Sequence, residues 1–230
     1  MRFLRLGRGF GSLLLGALLL LLVGLAGSES AQALTIFGTG AQTEAADVPV
    51  FDPTNYELGT VFMSSVAGEV TALRVYVGPV EAVDPGTITG TLWDSAGNVL
   101  ASATYGSIVL GWNEVSLSTA ISIAANTTYV VSANTNAGTT QTGSYAFNSA
   151  GGAGFFGGGG FVSGPLTATA GVFNTTTGAF PTLNFPPTNG GSSYFRDVQF
   201  TADVPEPSTA WLVGLGLAAL SLSTGWRRTG

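Results

Sequence analysis

Across residues 34–203, apolar side chains recur at every second position in short runs, broken by turn residues roughly every eight to twelve positions. A period of two places successive side chains on opposite faces of an extended strand, so the chain is built for sheets and offers no convincing amphipathic helix in this region. Leu73, Val75 and Val77 alternate with Arg74 and Tyr76, giving a strand with one inward and one outward face. Thr87 to Trp93 and Val99 to Tyr105 flank Asp94-Ser95-Ala96-Gly97-Asn98, where Asp, Gly and Asn tolerate tight-turn backbone angles; together they predict a hairpin. Further strands are expected over Asn113–Leu117, Ala120–Ala124 and Thr128–Ala133, with Asn126 in the turn before the last. The final strand runs from Tyr194 to Ala202, with Tyr194, Arg196, Val198 and Phe200 on one face and Phe195, Asp197 and Gln199 on the other. An arginine on the more apolar face is unexpected and implies a carboxylate partner in a structural pair.

Many short strands predict an all-β fold, an antiparallel two-sheet β-sandwich of jelly-roll type, with a small barrel as the alternative. The segment from Gly151 to Phe161 is too rich in glycine for a stable strand and lacks the Lys-Ser/Thr ending of a phosphate loop. It reads as a loop whose Phe155, Phe156 and Phe161 either form an adhesive tip or fold back onto the domain.

Both ends read as targeting segments. Arg2, Arg5 and Arg8 precede a Leu-rich run from Leu13 to Leu25, and Ala31-Gln32-Ala33 supplies a small-x-small cleavage site, the order of a secretory signal peptide. At the other end come Pro205-Glu206-Pro207, an apolar stretch from Ala210 to Leu222, and Trp226-Arg227-Arg228. The prolines fix φ and remove two backbone donors, so a helix begins only after them. A run from Ser208 to Thr224 spans roughly 25 Å, a minimal membrane crossing, with Arg227 and Arg228 left on the cytoplasmic side of the inner membrane. This tripartite order resembles the PEP-CTERM sorting signal of exported Gram-negative proteins, which implies an exosortase-type membrane enzyme as processing partner. The division is then a signal peptide over 1–33, a β-sandwich domain over 34–203 and a sorting tail over 204–230. The resemblance implies a protein transiently anchored in the inner membrane, then released to the cell surface or beyond.

Composition removes whole classes of chemistry. The chain has no Cys, no His and no Lys. That excludes disulfides, thiolate nucleophiles, Ser-His-Asp triads and Schiff-base lysines, and takes away the usual ligands of zinc, copper and non-haem iron. Between residues 34 and 203, Arg74 and Arg196 stand against eleven carboxylates, a net charge of −9. Such a balance argues against nucleic acid or anionic lipid as a partner.

The residues of the middle region carry a second resemblance. Glu57-Leu58-Gly59, Phe62 with Ser64-Ser65-Val66-Ala67-Gly68, Arg74-Val75-Tyr76 and Gly90-Thr91-Leu92-Trp93 come first. Gly97 with Leu100-Ala101-Ser102, Gly111-Trp112, Thr128-Tyr129-Val130, Pro165-Leu166, Phe180-Pro181-Thr182 and the Tyr194 to Phe200 strand follow in order. This succession resembles a bacterial β-sandwich family known as domain of unknown function 4082. The resemblance implies a secreted or surface-attached protein, in some cases associated with carbohydrate, and brings no agreed activity. The chain departs from the family pattern in the Gly-rich Phe155 to Phe161 insertion and in Arg196.

Candidate sites follow from residue chemistry. Exposed aromatic rings stack on sugars, which makes Trp93, Trp112, Tyr105 and Tyr145 the candidates for glycan contact; the competing expectation is that each tryptophan fills the space between the sheets. Asp52, Asn55 and Glu57 offer oxygen ligands in one short stretch, a set suited to calcium, although Asp-Pro-Thr-Asn is equally ordinary turn chemistry. A glycoside hydrolase needs two carboxyl groups about 5 to 9.5 Å apart across a cleft. Glu69, Glu114 and Asp197 are the strand-borne candidates for such a pair, against the expectation that they are simply solvated acids on outward faces. The expected function is an exported, non-catalytic surface or matrix protein associated with exopolysaccharide or biofilm. A carbohydrate-binding module, calcium-dependent or not, is the alternative, and no cofactor is otherwise required.

Overall fold

The computed structural model describes residues 32–38, 54–79, 81–135, 145–150, 154–157, 159–185, 187 and 190–203. These residues form ten strands: β1 (Ala33–Thr35), β2 (Glu57–Ser64), β3 (Gly68–Val77), β4 (Thr89–Asp94), β5 (Val99–Thr104), β6 (Gly111–Ile123), β7 (Thr128–Asn134), β8 (Phe161–Ser163), β9 (Leu166–Asn174) and β10 (Arg196–Ala202). A single 3-10 turn, Glu81–Val83, lies between β3 and β4. The smaller sheet has the order β1-β10-β3-β6 and the larger β5-β4-β7-β2-β9-β8, with every neighbouring pair antiparallel. The described residues are therefore all-β with two antiparallel sheets, and neither sheet closes into a barrel.

The predicted hairpin is β4–β5. Asp94 fixes its turn by accepting hydrogen bonds from the amides of Ala96 and Asn98, both at 2.9 Å, and from Asn98 Nδ2 at 2.8 Å. Gly97 supplies the left-handed residue, at φ 86°. The two strands expected over 113–124 are one strand of 13 residues, β6. The interruption is in its pairing: Ala72 faces Ser116 while Val70 faces Ile121, so 117–120 bulge away from β3. The last strand starts at Arg196 because Phe195 adopts φ 52°, a conformation costly for a bulky side chain. The β8–β9 hairpin, rich in Ala and Thr, was not anticipated from the alternation pattern.

Between the sheets, Phe62, Leu73, Val75, Leu92, Val131, Val198 and Phe200 are fully or almost fully buried. The expected outward face of β3 and β10 is covered as well. Asp197, expected as a solvated acid, is completely buried, and Arg74 beside it nearly so. Arg74 Nη1 lies 2.7 Å from Asp197 Oδ2. The same carboxylate accepts the amides of Ile36 at 2.8 Å, Phe37 at 3.3 Å and Val198 at 2.7 Å. Arg74 Nη2 donates to the Gly38 carbonyl at 3.1 Å, and the guanidinium sits 4.5 Å from the Trp112 ring centroid. Residues 36–38 thus form a strap across the outside of the smaller sheet. Under it Phe37 meets Trp112, Phe155, Phe161 and Phe195 at centroid distances of 5.5–6.3 Å, so the phenylalanines of the Gly-rich stretch fold back onto the domain. Ser163 Oγ donates to the Thr35 carbonyl at 2.8 Å and links the edge strands β8 and β1 of the two sheets.

Arg196 is the inward counterpart. It is fully buried, donates through Nη1 to the Tyr194 carbonyl at 2.7 Å, and has its carboxylate in Glu81, with Nη2 3.9 Å from Oε1. This contact exceeds hydrogen-bonding distance, and among the described residues Arg196 Nε and Nη2 and both Glu81 oxygens have no partner within hydrogen-bonding geometry. Burial pushes the Glu81 carboxyl up to about 7, against Arg196 and the nearby amides of Gly78 and Ala146, which favour the charged form. Burial likewise lowers the pKa of Arg196.

Two outcomes follow. Asp197→Ala leaves Arg74 buried without its partner and frees the strap amides, which is expected to cost about 3 to 5 kcal/mol; exposed Glu69→Ala is expected to stay within about 0.5 kcal/mol. Denaturant midpoints measure both, and a wild-type midpoint for Asp197→Ala would show that the strap is held by other contacts. The second concerns pH. Glu81 binds its proton more tightly folded than unfolded, so its contribution is complete below its ordinary value of 4.5 and is lost as pH rises through 7. The loss is on the order of 3 kcal/mol. Asp197, pushed up to about 6 by burial against Arg74 and the amides of Ile36, Phe37 and Val198, acts with the same sign. The melting temperature should be higher at pH 5 than at pH 8, with a smaller difference in Glu81→Gln; a melting temperature that rises towards pH 8 contradicts this.

Candidate functional site

Antiparallel pairing gathers aromatic residues from separate parts of the chain at one end of the sandwich. The β2–β9 register sets Leu58 opposite Phe173. Tyr56, just before β2, is pinned by reciprocal bonds with Thr135: its amide donates to Thr135 Oγ1 at 2.9 Å and its carbonyl accepts the Thr135 amide at 2.8 Å. A bridge between Asn148 and Ser193, with both amide-to-carbonyl bonds at 2.9 Å, places the 145–150 segment alongside the approach to β10. Tyr145 and Tyr194 are thereby brought to 6.0 Å.

Tyr56, Leu58, Tyr145, Phe173, Phe185 and Tyr194 line a half-open recess of about 240 Å³. Its aromatics meet edge to face: Tyr56–Tyr145 at 5.7 Å and Tyr56–Phe173 at 5.9 Å, with interplanar angles of 75° and 79°. Such contacts are worth about 0.5 to 1.5 kcal/mol each beyond area burial, so the lining is preformed. Among the described residues no charged side chain lines it; the polar side-chain atoms they supply are the hydroxyls of three tyrosines. Burial raises the pKa of Tyr194, with Tyr145 and Tyr56 adding to the effect, which keeps that hydroxyl protonated at neutral pH. Chemically this is a neutral, aromatic recess with hydrogen-bonding capacity and no acid or base poised for proton transfer.

Of the four glycan candidates, only Tyr145 lines this recess. Trp93 is buried on the outer face of the larger sheet against Phe180, with its indole N–H donating to Ser132 Oγ at 2.8 Å. Tyr105 is buried in the core. Neither offers an open ring to a sugar. Trp112 is half-buried under the strap, stacked on Phe37 with an interplanar angle of 16°. The four therefore form no common surface.

Asp52 lies outside the described residues, and Asn55 is exposed. Glu57 is buried, its Oε1 accepting the Ser132 hydroxyl and its Oε2 the Gly178 amide at 2.9 Å. Burial raises its pKa, opposed by those two hydrogen bonds and by Arg196. Glu57 is thus committed to a Trp93–Ser132–Glu57–Gly178 chain of hydrogen bonds. Among the described residues, no group of three or more carboxylates is placed to hold a metal ion. Glu69 is exposed, Glu114 is 43% exposed beside Arg74, and Asp197 is buried; none of the three lines the recess.

Tyr56, Leu58, Phe173, Phe185 and Tyr194 were not anticipated as site residues. Tyr56, Phe173 and Tyr194 share one signal, an aromatic residue at a strand end, at the start of β2, the end of β9 and the entry to β10. Only the strand order shows that these ends coincide.

Residues 42–196 match the family described as domain of unknown function (DUF4082), and residues 203–228 match the PEP-CTERM protein-sorting motif. No curated protein matches the chain. The sorting motif implies export and handling by an exosortase-type processing enzyme. Its Pro205, Glu206, Pro207, Arg227 and Arg228, like Ala31 of the expected signal-peptide cleavage site, lie outside the described residues, whereas Ala33 of that expected site opens β1. Among the described residues no helix is long and apolar enough to cross a membrane. With more than half of its length matched by one family, the chain belongs to the DUF4082 family and bears a PEP-CTERM sorting motif behind that domain.

Proposed function

We propose that the protein is a non-catalytic component of the cell surface or extracellular matrix of a Gram-negative bacterium, in an exopolysaccharide or biofilm setting. The observation that carries this reading is the order of the two matched regions: the sorting motif begins at 203, directly behind a domain that ends at 196. A signal peptide over 1–33 starts export. The apolar stretch from Ala210 to Leu222 then holds the chain in the inner membrane while Arg227 and Arg228 stay cytoplasmic. The exosortase acts at the Pro205-Glu206-Pro207 segment and the domain passes to the surface.

Residue chemistry supports a non-catalytic role. Without Cys, His or Lys, acid–base or nucleophilic work would fall mainly to carboxylates. The buried ones are engaged elsewhere: Asp197 by the strap and Arg74, Glu57 by Ser132 and Gly178. Glu81 faces Arg196.

The test is expression of the full chain with and without a matching exosortase, followed by fractionation and intact-mass measurement. The enzyme should shift the tail's mass or move the protein out of the inner-membrane fraction. The double change Pro205→Ala with Glu206→Ala should abolish that shift, and unchanged processing of the double variant refutes the sorting assignment.

A further inference from the structure

We propose that the aromatic recess binds one neutral sugar residue of a polysaccharide, at the end of the domain remote from Ala202. This rests on the reading of a non-catalytic surface protein and names the ligand of that protein.

Three properties of the recess select the ligand. The first is the lining. Five of its six residues are aromatic and three carry hydroxyls, so the lining combines ring surface, which suits the C–H face of a pyranose, with hydrogen-bonding groups, which suit its O–H groups. The second is charge. Among the described residues no cation or carboxylate lines the recess, and the domain around it carries a net charge of −9, which disfavours uronic acids and other anionic sugars. The third is size. At about 240 Å³ the recess lies just below the roughly 300 to 1,000 Å³ of sites that engulf drug-sized ligands, and it suits a single ring with its neighbours outside.

The rim is built to meet such a chain. Phe185 is 60% exposed at the mouth, and Leu183, two residues before it, is 49% exposed. Both are fixed from below. Leu183 exchanges backbone hydrogen bonds with Phe173 at 2.7 and 2.9 Å, and the Phe185 carbonyl accepts the amide of Ser192 at 2.7 Å and also its hydroxyl. An exposed aromatic whose backbone is fixed by Ser192 is a preorganised stacking platform.

Strand polarity sets the location. β10 leaves the recess just after Tyr194 and ends at Ala202, about 20 Å away at about 3.3 Å per residue. At that far end Thr201 pairs with Ala33, and the Asp203 amide donates to the Ala67 carbonyl at 2.9 Å. The recess and Asp203 therefore lie at opposite ends of the domain.

The experiment uses the full chain in a detergent without a sugar headgroup, titrated by calorimetry with cellohexaose, mannohexaose and chitohexaose. Hexagalacturonate serves as the anionic probe and 2-naphthol as the purely aromatic one. At least one neutral hexaose should bind at submillimolar concentration. Phe185→Ala should weaken it about three- to tenfold with an unchanged melting temperature. Tyr145→Phe, which removes only a hydroxyl, should weaken it as well. The proposal is overturned if no neutral hexaose binds at millimolar concentration, if both variants bind like wild type, or if hexagalacturonate or 2-naphthol binds more tightly. Absence of binding with the tail still processed removes the recess assignment alone. Release of new reducing ends from a hexaose refutes the non-catalytic reading and the proposal with it.

Discussion

The carboxylate of Asp197 holds together a face of the smaller sheet that would otherwise stand open. Its oxygens receive Arg74 and the amides of Ile36, Phe37 and Val198, so four donors from three parts of the chain converge on one buried charge. Hydrogen bonds to a charged group contribute about 1.5 to 3 kcal/mol each, which offsets part of the desolvation of the pair. β1 has only three residues and pairs along one side, too little to anchor the strap alone. The Phe37 cluster, and with it the folding back of Phe155 and Phe161, depends on that anchor.

The two arginines of the domain are both buried, and they are treated differently. Arg74 is satisfied by Asp197, the Gly38 carbonyl and the face of Trp112. Among the described residues Arg196 keeps Nε and Nη2 without partners in hydrogen-bonding geometry, beside a Glu81 that is equally unsatisfied. That second pair adds little net stability, because a contact of 3.9 Å returns only part of the cost of removing both charges from water. Placing every cation of the domain inside has an external consequence. The charge left at the surface comes from carboxylates alone, among them Glu69 and Glu114, so the domain repels anionic partners on all sides and its recess is neutral by contrast.

Much of this architecture is legible in the sequence, and the illegible parts have a common cause. The β4–β5 hairpin could be read because Asp94, Gly97 and Asn98 encode the turn locally. The face assignment of Tyr194, Arg196, Val198 and Phe200 could be read because alternation is local too. What alternation cannot report is whether an outward face is covered from a distance. Arg74 and Asp197 have the pattern of a solvated pair, yet a strap more than 30 residues before Arg74 buries both. Glu57 looked like a calcium ligand beside Asn55, and the loop carrying Gly178 closes over it instead. The recess was hidden for the same reason: Tyr56, Phe173 and Tyr194 are more than 100 residues apart at the extremes and become neighbours only through strand order.

The register of β10 connects these features. Arg196 and Asp197 are consecutive, so one must face the interior and the other the outside. A slip of one residue would turn Asp197 towards the core, away from Arg74 and the strap, and Arg196 out beneath Phe37. Two adjacent buried charges with fixed and opposite partners therefore lock the strand more tightly than an apolar alternation would. Locking β10 also fixes both of its ends, with Tyr194 in the wall of the recess and Thr201 beside Ala33. Because an extended strand cannot double back within seven residues, the recess and Asp203 are held at opposite ends by the same two charges that close the fold.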